Sequence, residues 1–131
     1  MKRVLLLLLS ILGFACFGQS AQADTWQEII PYGYQGGYWS SISMSTDASK
    51  ILVAGSYRLY YSNNSSLTWN EATPLGAVNK EWKIVKVSAN GNKMVAAEGK
   101  NDLFISNNGQ DWQMLNGPWK NSSHNYWGSI G

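Results

Sequence analysis

Two carboxyl groups facing each other across a cleft can hydrolyse a glycosidic bond, one as the acid and the other as nucleophile or base. This chain has eight acids to offer: Asp24, Glu28, Asp47, Glu71, Glu81, Glu98, Asp102 and Asp111. Most of them fall in expected turns or beside tryptophans that recur along the chain. No pair sits in a segment outside that recurrence, where a catalytic pair would be inserted. His124 is the lone histidine, in the loop Asn121-Ser122-Ser123-His124-Asn125, with no carboxylate or thiol cluster beside it to complete a metal site. The single cysteine, Cys16, lies in the apolar leader, and no glycine-rich phosphate loop opens a helix. The chemistry-bearing residues therefore point away from an enzyme. No catalytic, cofactor-binding or metal-binding residue is assigned, and no cofactor is expected.

The leader changes the charge balance. Lys2 and Arg3 precede an apolar run from Val4 to Phe17, and Ala21-Gln22-Ala23 has the small-x-small form of a cleavage site. The run is too short to span a bilayer, which takes roughly 20 residues. Residues 1–23 read as a signal peptide, with a mature chain from Asp24, secreted or periplasmic. Cys16 offers a second outcome, a lipid anchor, although Gly13-Phe14-Ala15 before it matches such a site poorly. Without Lys2 and Arg3 the ten basic residues fall to eight, equal to the eight acidic ones, and Arg58 is the one arginine left. Nucleic acid is not an expected partner, because a phosphate backbone asks for a basic patch. Beyond the leader, no membrane contact is expected. With Cys16 gone, the 108-residue mature segment cannot form a disulfide and must rely on an apolar core or on partners.

The elements that would position any site repeat along the chain. Trp39 to Trp69 and Trp82 to Trp112 are the same 30 residues apart, and the second pair lies 43 positions after the first. A period of that length, made of short strands and polar turns, is the mark of propeller blades. Each copy parses into four strands. The first are Trp39–Met44 and Trp82–Val87; Trp39, Ile42 and Met44, or Ile84, Val85 and Val87, are available to face a neighbouring blade. The second are 50–54 and 93–97, near-continuous apolar runs that read as buried on both faces. The third are 59–62 and 103–106, and the fourth open at Trp69 and Trp112. Polar turns separate them, Ser45-Thr46-Asp47-Ala48-Ser49 and Ser88-Ala89-Asn90-Gly91-Asn92, the latter with the Asn-Gly pair that favours hairpins. The expected layout is the tail of a preceding blade and its loop over 24–38, repeats over 39–81 and 82–126, and the start of another over 127–131. The fold class is all-β: a partial β-propeller of two four-stranded antiparallel blades with half-blades at each end.

Ser62-Asn63-Asn64-Ser65-Ser66-Leu67-Thr68-Trp69 resembles the Asp-box, the S-x-D-x-G-x-T-W turn of BNR repeats in sialidase-like propellers. Ser62, Thr68 and Trp69 match, and Asn64 stands for the aspartate. Ser106-Asn107-Asn108-Gly109-Gln110-Asp111-Trp112 is one residue shorter and keeps Ser106, Asn108, Gly109 and Trp112. The resemblance implies a structural turn between the third and fourth strands, away from any active-site face. It also implies what a sialidase of this kind needs, an arginine triad, and Arg58 alone cannot supply one. A calcium site in these turns is disfavoured, since Asn64 and Asn108 offer neutral oxygens where a hard cation prefers carboxylates.

Propellers close with four to eight blades, and about two and a half repeats cannot hide their own flanks. The chain is expected either to be a piece of a longer protein or to assemble. The leading functional expectation is an exported, non-catalytic scaffold for binding or assembly, with a protein partner, a glycan or self-association in view. The alternatives are a lectin-like module that closes a ring by oligomerising, and a truncated propeller glycosidase. Tyr34, Trp119 and His124, in the least repeat-like segments, are the candidate ligand-binding residues.

Overall fold

A computed structural model of the chain describes Glu28, Ile29, Pro31, residues 38–55, 57–76, 80–99 and 102–117, and Trp127. Among these, eight strands form two four-stranded antiparallel sheets. The first contains β1 (Trp39–Met44), β2 (Ile51–Gly55), β3 (Arg58–Ser62) and β4 (Asn70–Ala72). The second contains β5 (Trp82–Val87), β6 (Met94–Glu98), β7 (Leu103–Ser106) and β8 (Trp112–Leu115). Both sheets are simple meanders in chain order, so each of the two sequence repeats is one sheet. The leader, the expected half-blade segments apart from single residues, and the loop carrying Trp119 and His124 lie outside the described residues.

Strand bounds agree with the sequence to within a residue, with one instructive shift. β4 begins at Asn70, not Trp69: the turn before it, 63–69, is two residues longer than the turn before β8, 107–111, and Trp69 is spent inside that turn. β2 and β6 are buried along nearly their whole length.

The assignment of faces needs one correction. Trp82, Val85 and Val87 share a face, but Ile84 points to the other side. A register irregularity between Trp82 and Ile84, repeated between Trp39 and Ser41, adds a residue to the alternation. It explains why Trp39 and Ile42, three residues apart, can share a face when strict pleating alternates by two.

The sheets stack so that the face of the second carrying Trp82, Val85, Val87, Met94, Ala96 and Phe104 packs on the face of the first carrying Leu52, Ala54, Leu59, Tyr61 and Ala72. This seam is the core. β1 and β5 lie side by side at one edge of it, the relation of inner strands in adjacent propeller blades. A ladder of polar contacts joins them. Ser40 Oγ donates to Trp82 O at 2.8 Å, and Val85 N and Val87 N donate to Ser41 Oγ and Ser43 Oγ at 3.1 and 3.0 Å. Thr46 N donates to Ala89 O at 2.9 Å.

The β1–β2 and β5–β6 turns are the same turn built with different residues. In each, a serine hydroxyl at the start is bonded across to the lysine five residues on: Lys50 N donates to Ser45 Oγ and Lys93 N to Ser88 Oγ, both at 3.0 Å. Asp47 Oδ1 accepts from Ser45 Oγ, Ser49 N and Ser49 Oγ. The Ser45 bond first, then those from Ser49, hold its carboxyl down at about 2. Gly91 occupies the left-handed position with φ 71°, and in the other copy Ala48 is forced there at φ 55°. An L-residue with a Cβ is strained in that region and glycine is not. Ala48→Gly is therefore expected to stabilise the fold by about 0.5–1 kcal/mol, read as a higher urea midpoint with an unchanged slope; an unchanged or lower midpoint would show that the strain is absent.

Candidate functional site

Three features of the described residues could carry function: the turns before β4 and β8, the charged side chains, and the outer face of the first sheet.

The two turns are closed by side chains in matching ways. In the second, Ser106 Oγ accepts from Asn108 N and Gly109 N, and Asn108 Oδ1 accepts from Gln110 N and Asp111 N at 2.9 and 2.8 Å. Trp112 Nε1 donates to Gly109 O at 2.8 Å, which folds the buried indole back under the turn. In the first, Ser62 Oγ accepts from Asn64 N and Ser66 N, and Asn64 Oδ1 accepts from Thr68 N at 2.9 Å. Ser62, Asn64, Thr68, Ser106, Asn108, Gly109 and Trp112 thus come together as turn-closing residues. Trp69 differs: it is half-buried, and its Nε1 is shielded from solvent without a hydrogen-bond partner among the described residues.

The asparagines also donate, to different partners. Asn64 Nδ2 bonds Thr68 Oγ1 at 2.8 Å, whereas Asn108 Nδ2 bonds the carboxylate of Asp111 at 2.7 Å. An aspartate at 64 keeps a partner, because the Thr68 hydroxyl can rotate to donate. An aspartate at 108 sets two carboxylates against each other. We expect Asn64→Asp to change stability by less than about 0.5 kcal/mol and Asn108→Asp to cost about 1–3 kcal/mol at neutral pH. The cost should shrink as pH falls and the opposed carboxylates share a proton, which relieves their repulsion. Equal effects of the two substitutions in denaturant titrations would contradict this geometry.

Six of the acids are engaged. Asp47 and Asp111 belong to turns. Glu71 pairs with Arg58 at 2.8 Å, and Glu81 with Lys83 at 3.4 Å. Glu98, buried on the second sheet, and Asp102 share Lys80 at 2.8 and 3.4 Å, with the ammonium 5.7 Å from the centre of the Phe104 ring. Burial works to lower the Lys80 pKa, but the hydrogen bonds and charges of Glu98 and then Asp102 outweigh it, so the net shift is upward. A lysine held more firmly charged between two carboxylates is a clasp, not a proton shuttle. Asp24 lies outside the described residues, and Glu28 is exposed.

The outer face of the first sheet is the exact repeat-equivalent of the face that the second sheet buries. Trp39, Ile42 and Met44 correspond in register to Trp82, Val85 and Val87. The edge-to-face pair Trp39–Tyr60, with ring centres 6.2 Å apart at 68°, is repeated by Trp82–Phe104 at 5.5 Å and 69°. Their surroundings differ. Trp82, Val85 and Val87 are 3%, 1% and 8% exposed, while Trp39, Ile42 and Met44 are 47%, 63% and 51% exposed. Trp39, Ile42, Met44, Ile51, Val53 and Trp69 line a shallow apolar groove of about 660 Å³ over this face. Bringing the three exposed side chains to the burial of their counterparts is worth about 3–4 kcal/mol of apolar transfer.

Sequence reasoning had the apolar residues of this face but missed the serines of β1. Ser41 and Ser43 alternate with Ile42 and Met44, and that alternation was the available signal: hydroxyls at every second position of a strand whose opposite side is covered. The candidate ligand residues Tyr34, Trp119 and His124 lie outside the described residues.

No protein-family model matches the chain, and no curated protein sequence matches it. Among solved structures it is similar to the crystal structure of the GH74 enzyme of Niastella koreensis, with 26% identity over 58% of this chain and a TM-score of 0.45. The aligned part is 11% of that enzyme's chain, so this chain spans about a tenth of its length. It assigns this chain no reaction and no site residue.

Proposed function

We propose that this chain is an exported, non-catalytic propeller-repeat module that works by assembly, giving two sheets to a larger stack of sheets. The observation that supports the reading is the difference between repeat-equivalent faces. The same pattern of tryptophan and aliphatics is buried where a neighbouring sheet is present and half-exposed where the described residues supply none. Exposed contiguous apolar faces on soluble proteins mark interaction surfaces. On this reading the turns at Ser62–Trp69 and Ser106–Trp112 are degenerate Asp-boxes of BNR-type repeats, hairpin clasps with no ligand. The engaged carboxylates favour a scaffold over a glycosidase. The signal-like leader puts the module outside the cytoplasm.

The native species purified from the cells that produce it tests the reading. Its mass is expected to exceed that of one mature chain. Ile42→Lys combined with Met44→Lys, on the exposed face, is expected to release a single chain that keeps its strand circular dichroism. A folded, lone chain in the unaltered protein would reject the proposal.

A further inference from the structure

Resting on that reading, we infer that the Trp39 face accepts a further four-stranded sheet whose edge strand carries hydroxyl side chains two residues apart, and not a second copy of these two sheets. The internal seam shows what such a face requires. Ser45 N donates to Lys50 O and Ser88 N to Lys93 O, so counting back along each strand places Ser43 and Lys86 in hydrogen-bonded pairs. Met44 and Ile42, like Val87 and Val85, then turn their N–H groups away from their own sheet. At the seam these outward N–H groups end on Ser41 and Ser43, the hydroxyls of the neighbouring sheet. On β1 the N–H groups of Ile42 and Met44 have no partner among the described residues. A sheet that buried Ile42 and Met44 without supplying acceptors would strand two backbone donors, and a stranded donor costs more than an apolar contact returns.

The chain's own remaining face does not meet this requirement. By register, Ser41 corresponds to Ile84 and Ser43 to Lys86. Neither side chain can accept a hydrogen bond, and Lys86 would bring an ammonium against the donors. A head-to-tail stack of identical chains, which the repeat otherwise invites, is thereby disfavoured. The partner is specified at one more point. Tyr61 lies against Gly109, where there is no side chain; the equivalent position in the first sheet is Ser66, at φ 68°. The docking sheet therefore carries something smaller than tyrosine there.

The test converts the wrong face into the right one. The purified mature chain carrying Ile84→Ser and Lys86→Ser is expected to self-associate head to tail at least on the order of tenfold more tightly than the unaltered chain in sedimentation equilibrium. Adding Ile42→Lys should abolish the gain. Ile84→Thr with Lys86→Thr supplies the same hydroxyls on residues better suited to a strand, and covers the case that serine weakens β5. If neither folded pair associates more tightly than the unaltered chain, or if the gain survives Ile42→Lys, the inference is wrong. If the unaltered chain already associates as tightly through Ile42, a second copy is the occupant and the hydroxyl requirement falls, while the assembly reading stands.

Discussion

Trp82→Ala is expected to cost about 3–5 kcal/mol of folding stability, and Trp39→Ala, at the equivalent place in the other repeat, about 1–2 kcal/mol. Both tryptophans open the first strand of a sheet, and both set their indole edge-to-face against an aromatic of the third strand. The intrinsic strand and ring–ring terms therefore nearly cancel between them. What remains is the neighbour. Trp82 lies inside the seam, in one buried cluster with Leu59 and Ala72 of the first sheet, and its carbonyl accepts from Ser40 Oγ, so its removal opens a cavity that two packed sheets cannot close. Trp39 keeps about half its surface in water, and its loss opens a hollow that solvent fills. Paired urea titrations of the mature single chain measure the difference. Equal losses would mean that the two faces are equally covered, and the polarity on which the assembly reading rests would be gone. In the assembled native species the gap should narrow, because a docked sheet puts Trp39 into a seam of its own.

Much of this was legible in the sequence, and the parts that were not share a physical reason. The repeat of tryptophans and of Ser-Asn-Asn fixes the number of sheets, the strand order and the clasped turns, because each depends on residues close together in the chain. Asn64 and Asn108 are readable as turn-closers, since their acceptors and donors lie within four residues. The facing of the sheets was less legible. An irregularity near Trp82 reverses the alternation, so Ile84 reads as a partner of Val85 although it points the opposite way. The serines of β1 look like ordinary exposed strand polars until β5 is set beside them, about 43 residues away. Their role is a property of the seam, and a seam has no local signature. The candidate ligand residues came from the segments with least repetition; Tyr34, Trp119 and His124 lie outside the described structure and remain expectations.

The same asymmetry gives the second large effect, at a residue with no side chain. Gly109→Ala is expected to destabilise the fold by about 2–4 kcal/mol. Two costs add. Gly109 has φ 83°, in the left-handed region that penalises a Cβ. A Cβ built there would stand 2.5 Å from Tyr61 Cδ2 and 2.7 Å from Cγ, inside the ring's van der Waals surface. The turn cannot simply slide away, because Gly109 N is held by Ser106 Oγ, and Gly109 O by the Trp112 indole. The ring cannot retreat far either, being buried in the core between the sheets. In a Tyr61→Ala background the collision disappears and only the backbone cost is left, about 1 kcal/mol. The double-mutant cycle should thus show a favourable coupling of about 1–3 kcal/mol. Ser66 makes the contrast within one molecule: the same turn position, the same sign of φ, a Cβ present, and no sheet stacked against it among the described residues. A glycine is required where a neighbour's aromatic closes on the turn, and a serine is tolerated where the flank is open. Additive effects of Gly109→Ala and Tyr61→Ala would mean that the ring and the turn do not touch, and the stacking of the two sheets would have to be redrawn.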